Sequence, residues 1–169
     1  MTFLVSSGIS RRVSISPHSS SQLQKERSKI KSRDNLLTIQ AASKVPAKRR
    51  QTGIKSTVES TTSLLYDRGA LPDELARLVD LLTVRNHLDQ ASLGVIVRNL
   101  YPSGKVGDEV VLRFVGALGH GQLKPSLPLQ ALFLRWLVMV HHLLENPTIL
   151  SQVYGLLFNL LDTAAIRSG

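Results

Sequence analysis

The segment Pro72-Asp73-Glu74-Leu75-Ala76-Arg77-Leu78-Val79-Asp80-Leu81-Leu82-Thr83 carries its apolar residues at a helical period. Leu75, Leu78, Val79 and Leu82 stand at i, i+3, i+4 and i+7, which places them in one stripe along a helix. Its first residues suit a helix start. Proline is tolerated where no amide partner is needed, and two acids meet the positive end of the helix dipole. The same spacing returns in Leu93, Ile96, Val97 and Leu100, and again in Val111, Phe114, Val115 and Leu118. Pro102-Ser103-Gly104 and Gly119-His120-Gly121 interrupt these stripes, and Asn146-Pro147 reads as a cap followed by a first helical residue.

Outward from that segment, the sequence predicts helices near 57–68, 72–84, 88–101, 107–119, 127–145 and 147–162. No stretch alternates with period two, so the fold class is all-α. Connections are short enough for antiparallel hairpins, and helix pairs of this length suit an α-solenoid of about three hairpins. A closed six-helix bundle fits the same elements. Leu127 to Leu144 is strongly apolar, but Arg135 at its middle would sit at the costliest depth of a bilayer, so the helix reads as buried rather than membrane-spanning. Leu150, Val153, Leu157 and Leu161 give the last helix an inward stripe, while Leu156, Phe158 and Leu160 remain as surplus apolar surface.

The first third is a different material. Residues 1–55 hold 12 Lys and Arg against 2 acids, whereas residues 56–169 hold 9 against 10, so the net charge of +9 is concentrated at the start. Serines and basic clusters there lack a lasting apolar period, and the composition reads as a disordered tail over 1–55, with Gln22–Lys31 able to form a transient helix. The helical domain then occupies 56–169. Lys44, Lys48, Arg49 and Arg50 form a compact basic run of the nuclear-import type, supported by the cluster between Lys25 and Arg33. Two rival readings of the tail are a weak contact with DNA phosphates and, from the acid-free, Ser-rich residues 1–25, a mitochondrial presequence.

Signals for chemistry are weak. The chain has no cysteine, which excludes disulfides, thiolate metal sites and a cysteine nucleophile. His141 and His142 are adjacent, so on a helix their side chains diverge; Glu145 lies four residues after His141, which reads as a surface contact. Gly116, Gly119 and Gly121 lack both the preceding strand and the Gly-Lys-Ser/Thr of a phosphate loop. Residues 88–101, with Arg98 and Asn99, carry too few cations for a DNA-reading helix. The expectation is a protein without catalysis, cofactor, metal or small-molecule substrate.

Leu134-Arg135-Trp136-Leu137-Val138, followed by Val153-Tyr154-Gly155-Leu156-Leu157-Phe158, resembles the N-terminal region of the centromere protein I (CENP-I) family. Tyr66-Asp67-Arg68-Gly69-Ala70-Leu71, leading into Glu74 and Leu75, is similar to that family's glycine-leucine turn, and the resemblance covers about residues 57–169. It implies a HEAT-like solenoid and a non-enzymatic inner-kinetochore scaffold in the nucleus. The implied partners are the coiled-coil proteins CENP-H and CENP-K, and CENP-M where present. Trp136 and Tyr154 are expected to anchor the last two helices on each other. Arg135 pairs either with Glu145 or with an acidic partner. The surplus apolar face of Leu134, Val138, Leu156 and Leu160 is the expected partner-binding surface.

Overall fold

The computed structural model describes the backbone of residues 17–46, 53–118 and 125–167, with side chains over 20–46, 53–118 and 125–159. Its helices are α1 (Pro17–Ser43), α2 (Ile54–Arg68), α3 (Pro72–Thr83), α4 (Gln90–Arg98), α5 (Asp108–Leu118), α6 (Leu127–Val140) and α7 (Ile149–Arg167), with a 3-10 turn at His141–Leu143. All twelve residues of the three stripes are buried, so the helical period identified the core positions of α3, α4 and α5 correctly.

The helices form two rows. Apart from α1 on α2 and α5 on α6, the closest approaches join next-but-one helices: α1, α3, α5 and α7 in one row, α2, α4 and α6 in the other. The sequence predicts hairpins of consecutive helices; the short turns exist, but packing along the rows carries the fold. Helices α4 and α6 run parallel. The Ser126 hydroxyl donates to Gln90 Oε1 near their starts, and Trp136 Nε1–H donates to the Leu100 carbonyl near their ends.

The turns after α2, α4 and α6 are stitched together at one end of the rows. Ala70 N–H donates to Tyr101 O and Ser103 N–H to Ala70 O, at 2.7 and 2.9 Å. Val106 N–H donates to Leu143 O and Glu145 N–H to Val106 O, at 2.9 and 3.0 Å. These two isolated parallel bridges make each turn a partner of the next. Gly69 is required for the first one. Its φ is +76°, and a Cβ there would lie 2.8 Å from the Ser103 Cα. The second bridge explains why the helix expected over 127–145 ends at Val140: Leu144 is extended to pair with the α4–α5 turn. Helix α7 begins at Ile149 rather than Pro147, because Asn146 Oδ1 accepts from both the N–H and the hydroxyl of Thr148 in a preceding turn.

Residues 17–43 correct the expectation of disorder. They form α1, the longest helix, and its C-terminal half is docked. Ser32, Leu36, Ile39 and Ser43 recur at i, i+4, i+7 and i+11 and are buried, with Ala42 beside them. Asn35 Nδ2 donates to Ser60 Oγ on α2, and His87 N–H donates to the Ser43 carbonyl. Two of the four stripe positions are serines, so hydropathy does not mark this face; small side chains let α1 lie close to α2 and α3.

The centre of the fold is aromatic. Phe114 of α5 meets Phe133 and Trp136 of α6, with ring centroids 4.8 and 4.6 Å apart. This cluster fixes α6 against both rows and therefore sets which of its residues face outward.

Candidate partner-docking surface

Helix α6 is held by its buried side, Leu129, Phe133, Trp136, Leu137 and Val140. That leaves Val138 outward at 73% exposure. Helix α7 packs on α5 through Ile149, Leu150, Val153 and Leu157. Tyr154 and Phe158, at 64% and 56% exposure, lie to one side of that stripe, and Leu156, at 44%, to the other. The Tyr154 and Phe158 rings stack at 6.0 Å and 28°, as expected for i and i+4 on one face.

The structure sorts the residues expected at this surface. Val138 and Leu156 are exposed as expected. Leu134 is half-buried against the core and is removed from the face. The Leu160 side chain lies outside the described residues. Tyr154 and Phe158 are exposed as well, on another side of α7 from Leu156. Tyr154 was expected to lock α7 onto α6; it points outward, because the α7 stripe that docks belongs to α5. Trp136 is buried as expected, but it anchors α6 to α5 and to the end of α4 rather than to α7. Leu150, Val153 and Leu157 of the expected inward stripe do pack against the core, and Leu156 and Phe158 are left outside as expected; the Leu161 side chain lies outside the described residues.

Arg135 and Glu145 do not form one of the ion pairs seen among the described residues. Glu145 is tied through its N–H to Val106, and its Oε2 lies 3.7 Å from where a Cβ on Gly107 would be, over the α4–α5 turn. Arg135 instead lines a groove between α4 and α6 with Val97, Arg98, Leu132, Trp136 and Met139. Asn99, read together with Arg98 in the sequence, is occupied: its Nδ2 donates to Val95 O.

The other charged groups have structural work. Arg68 at the end of α2 grips Glu74 in a two-pronged pair, Nη1 to Oε2 at 2.8 Å and Nη2 to Oε1 at 2.6 Å. Glu74 also accepts from Leu71 N–H. Burial pushes the Glu74 carboxyl up, but the hydrogen bonds from Arg68 and Leu71 outweigh it and hold the group below its ordinary value. The Ser92 N–H, with its hydroxyl, likewise holds the Asp89 carboxyl down at the start of α4. Arg113 pairs with Asp80 and Glu109, joining α5 to α3. Among the described residues no three His, Cys, Asp or Glu side chains gather to hold a metal ion. No described helix is long and apolar enough to cross a membrane. Of the basic run, Lys44 is exposed just after α1, while Lys48, Arg49 and Arg50 lie outside the described residues, as do His120, Gly119 and Gly121.

Comparison with known proteins agrees with the geometry. The sequence profile of the family described as CENP-I: Mis6 matches residues 7–167. That match includes α1, beyond the 57–169 over which the resemblance is read from motifs. Inner kinetochore subunit mis6 of Schizosaccharomyces pombe is 26% identical over 115 residues, which is 68% of this chain and 17% of that protein. Among solved structures, the crystal structure of centromere protein Cenp-I is 72% identical with a TM-score of 0.75, covering 79% of this chain and 63% of that one. A chain in the crystal structure of the kinetochore subunits Cenp-H/I/K triple complex matches with the same values. This chain thus spans a minor part of the yeast relative and under two thirds of the solved chains.

Proposed function

The chain belongs to the CENP-I/Mis6 family, and from that premise we propose that it is a non-catalytic scaffold segment of the inner kinetochore that docks the CENP-H/CENP-K pair. The observation that carries this reading is the match, at 72% identity and a TM-score of 0.75, to a chain of the Cenp-H/I/K triple complex. The exposed apolar side chains Val138 on α6 and Tyr154, Leu156 and Phe158 on α7 support it, since stacked helices offer extended binding surfaces. CENP-M is a further partner where it exists. The site of action is the centromere within the nucleus, with Lys44, Lys48, Arg49 and Arg50 serving import. Chromosome segregation follows from that role.

Scaffolding needs no reacting group. The acids and cations that the fold buries or pairs are used in joining helices: Glu74 with Arg68, and Asp80 with Arg113. Apolar burial drives the docking, so binding persists when salt screens charge. The test is size-exclusion chromatography of the full chain with a co-expressed CENP-H/CENP-K pair at high salt. A stable ternary peak is expected. A folded, helical chain that elutes apart from the pair would overturn the reading. Salt-sensitive retention of DNA by such a chain would move the function to its basic N-terminal segment.

A further inference from the structure

The groove between α4 and α6 holds two arginines that nothing in the fold accounts for. Arg68 and Arg113 each have carboxylate partners. Arg98 and Arg135 have none among the described residues, yet they line the same groove, one from each helix. Gly94 positions the first of them. A Cβ built on Gly94 would lie 3.5 Å from Arg98 Nη1 and 3.5 Å from Leu132 Cδ1, so the Arg98 guanidinium lies back over α4 and beside α6. The groove wall is apolar: Leu132 is half-buried, Met139 is exposed, and the buried Trp136 forms part of the lining. Glu145, the nearest carboxylate in sequence to Arg135, faces the α4–α5 turn instead.

We infer that this groove takes an acidic segment of a protein partner, with a carboxylate between Arg98 and Arg135 and an apolar neighbour against Leu132 and Met139. Charge complementarity selects the occupant. Two guanidinium groups present paired donors that match a carboxylate, and they repel a basic segment. The apolar wall argues for amphipathic side chains over a phosphate backbone, whose contacts gain little from Leu132 and Met139. Val138 stands one turn after Arg135 and is likewise exposed on α6. The groove adds register and charge selection to docking that otherwise proceeds by burial.

This inference rests on the docking of CENP-H/CENP-K, and that pair is the probe. Binding of the full chain would be measured by calorimetry at low and high salt, for the unaltered chain and for Arg98→Glu/Arg135→Glu. Both residues are exposed, so circular dichroism should confirm an intact fold. The double reversal is expected to weaken binding about tenfold or more at low salt, with a smaller loss at high salt. A second variant, Arg98→Lys/Arg135→Lys, is then treated with a carbodiimide, which joins an amine to a touching carboxylate with loss of water. Cross-links from the introduced amines to Asp or Glu of the pair are expected. Unchanged affinity on double reversal, with no such cross-link, would overturn the groove while leaving the docking intact. Failure of the unaltered chain to bind the pair would take down the docking itself and this inference with it. DNA binding lost on reversal, with binding to the pair unaffected, would assign the arginines to phosphate and also overturn it.

Discussion

Helices α1 and α7 sit at opposite ends of the same row, and the sequence hides the buried side of the first while marking that of the second. Helix α1 docks through Ser32, Leu36, Ile39 and Ser43, a stripe half of which is polar, within a segment rich in cations. Helix α7 docks through Ile149, Leu150, Val153 and Leu157 and leaves Tyr154, Leu156 and Phe158 outside. In α1 the buried face is hidden by too little hydropathy contrast; in α7 the spacing of Leu150, Val153 and Leu157 marks it, although apolar residues also remain outside. A helical period exposes a buried face only when the two sides differ, which is why α3, α4 and α5 were legible in advance.

The comparison can be broken first at the docked side of α1. Leu36→Ala removes a fully buried side chain, and about 2–5 kcal/mol of stability should be lost in denaturant unfolding. A loss within about 0.5 kcal/mol, the scale of an exposed substitution, would show that α1 stands apart from the rest.

The Arg68–Glu74 pair lies between the two ends and holds the α2–α3 turn. Glu74→Gln leaves the Arg68 guanidinium, itself largely covered, short of a charged partner, and should cost about 2–3 kcal/mol. It should also alter the acid limb of stability. The folded Glu74 pKa is depressed, so its contribution is present above the ordinary value of 4.5 and lost as pH falls through the lower folded value. Stability of the unaltered chain should therefore decline on acidification more than that of the variant, as read from urea midpoints across pH 6 to pH 3, a span of about three units.

Glycines sharpen the contrast further. Gly155 in α7 has open space around its Cβ position, and Gly155→Ala should raise stability by up to about 1 kcal/mol through helix propensity. Gly69→Ala should lower it, because the left-handed φ and the contact with Ser103 admit no side chain. Equal signs for the two substitutions in thermal unfolding would contradict the assigned backbone. The smallest stability effect belongs to the outward side of α7: Phe158→Ser should shift unfolding by about 0.5 kcal/mol or less.

Much of the architecture was legible from the sequence. Spacing located α2 to α7 and the core positions of α3, α4 and α5, and Pro72 marked the start of α3. The row packing was not, because periodicity shows which side of a helix is buried and not which helix covers it. The ladder of turns was hidden as well, since its hydrogen bonds join main-chain atoms about one repeat apart, Ala70 with Pro102 and Val106 with Leu144. At the candidate site, Val138 and Leu156 were readable as surplus apolar residues. Tyr154 was misassigned because a large ring is usually worth burying. The twin placement of Arg98 and Arg135 needed the parallel packing of α4 and α6.

The most direct test of the docking account is the affinity of the full chain for CENP-H/CENP-K, measured by calorimetry at high salt for the unaltered chain and for Val138→Glu/Leu156→Glu. Both substitutions are on exposed positions, so unfolding should be nearly unchanged. Binding that is tight for the unaltered chain and lost for the double variant is expected. Equal binding by the two folded proteins would contradict the assignment of this face.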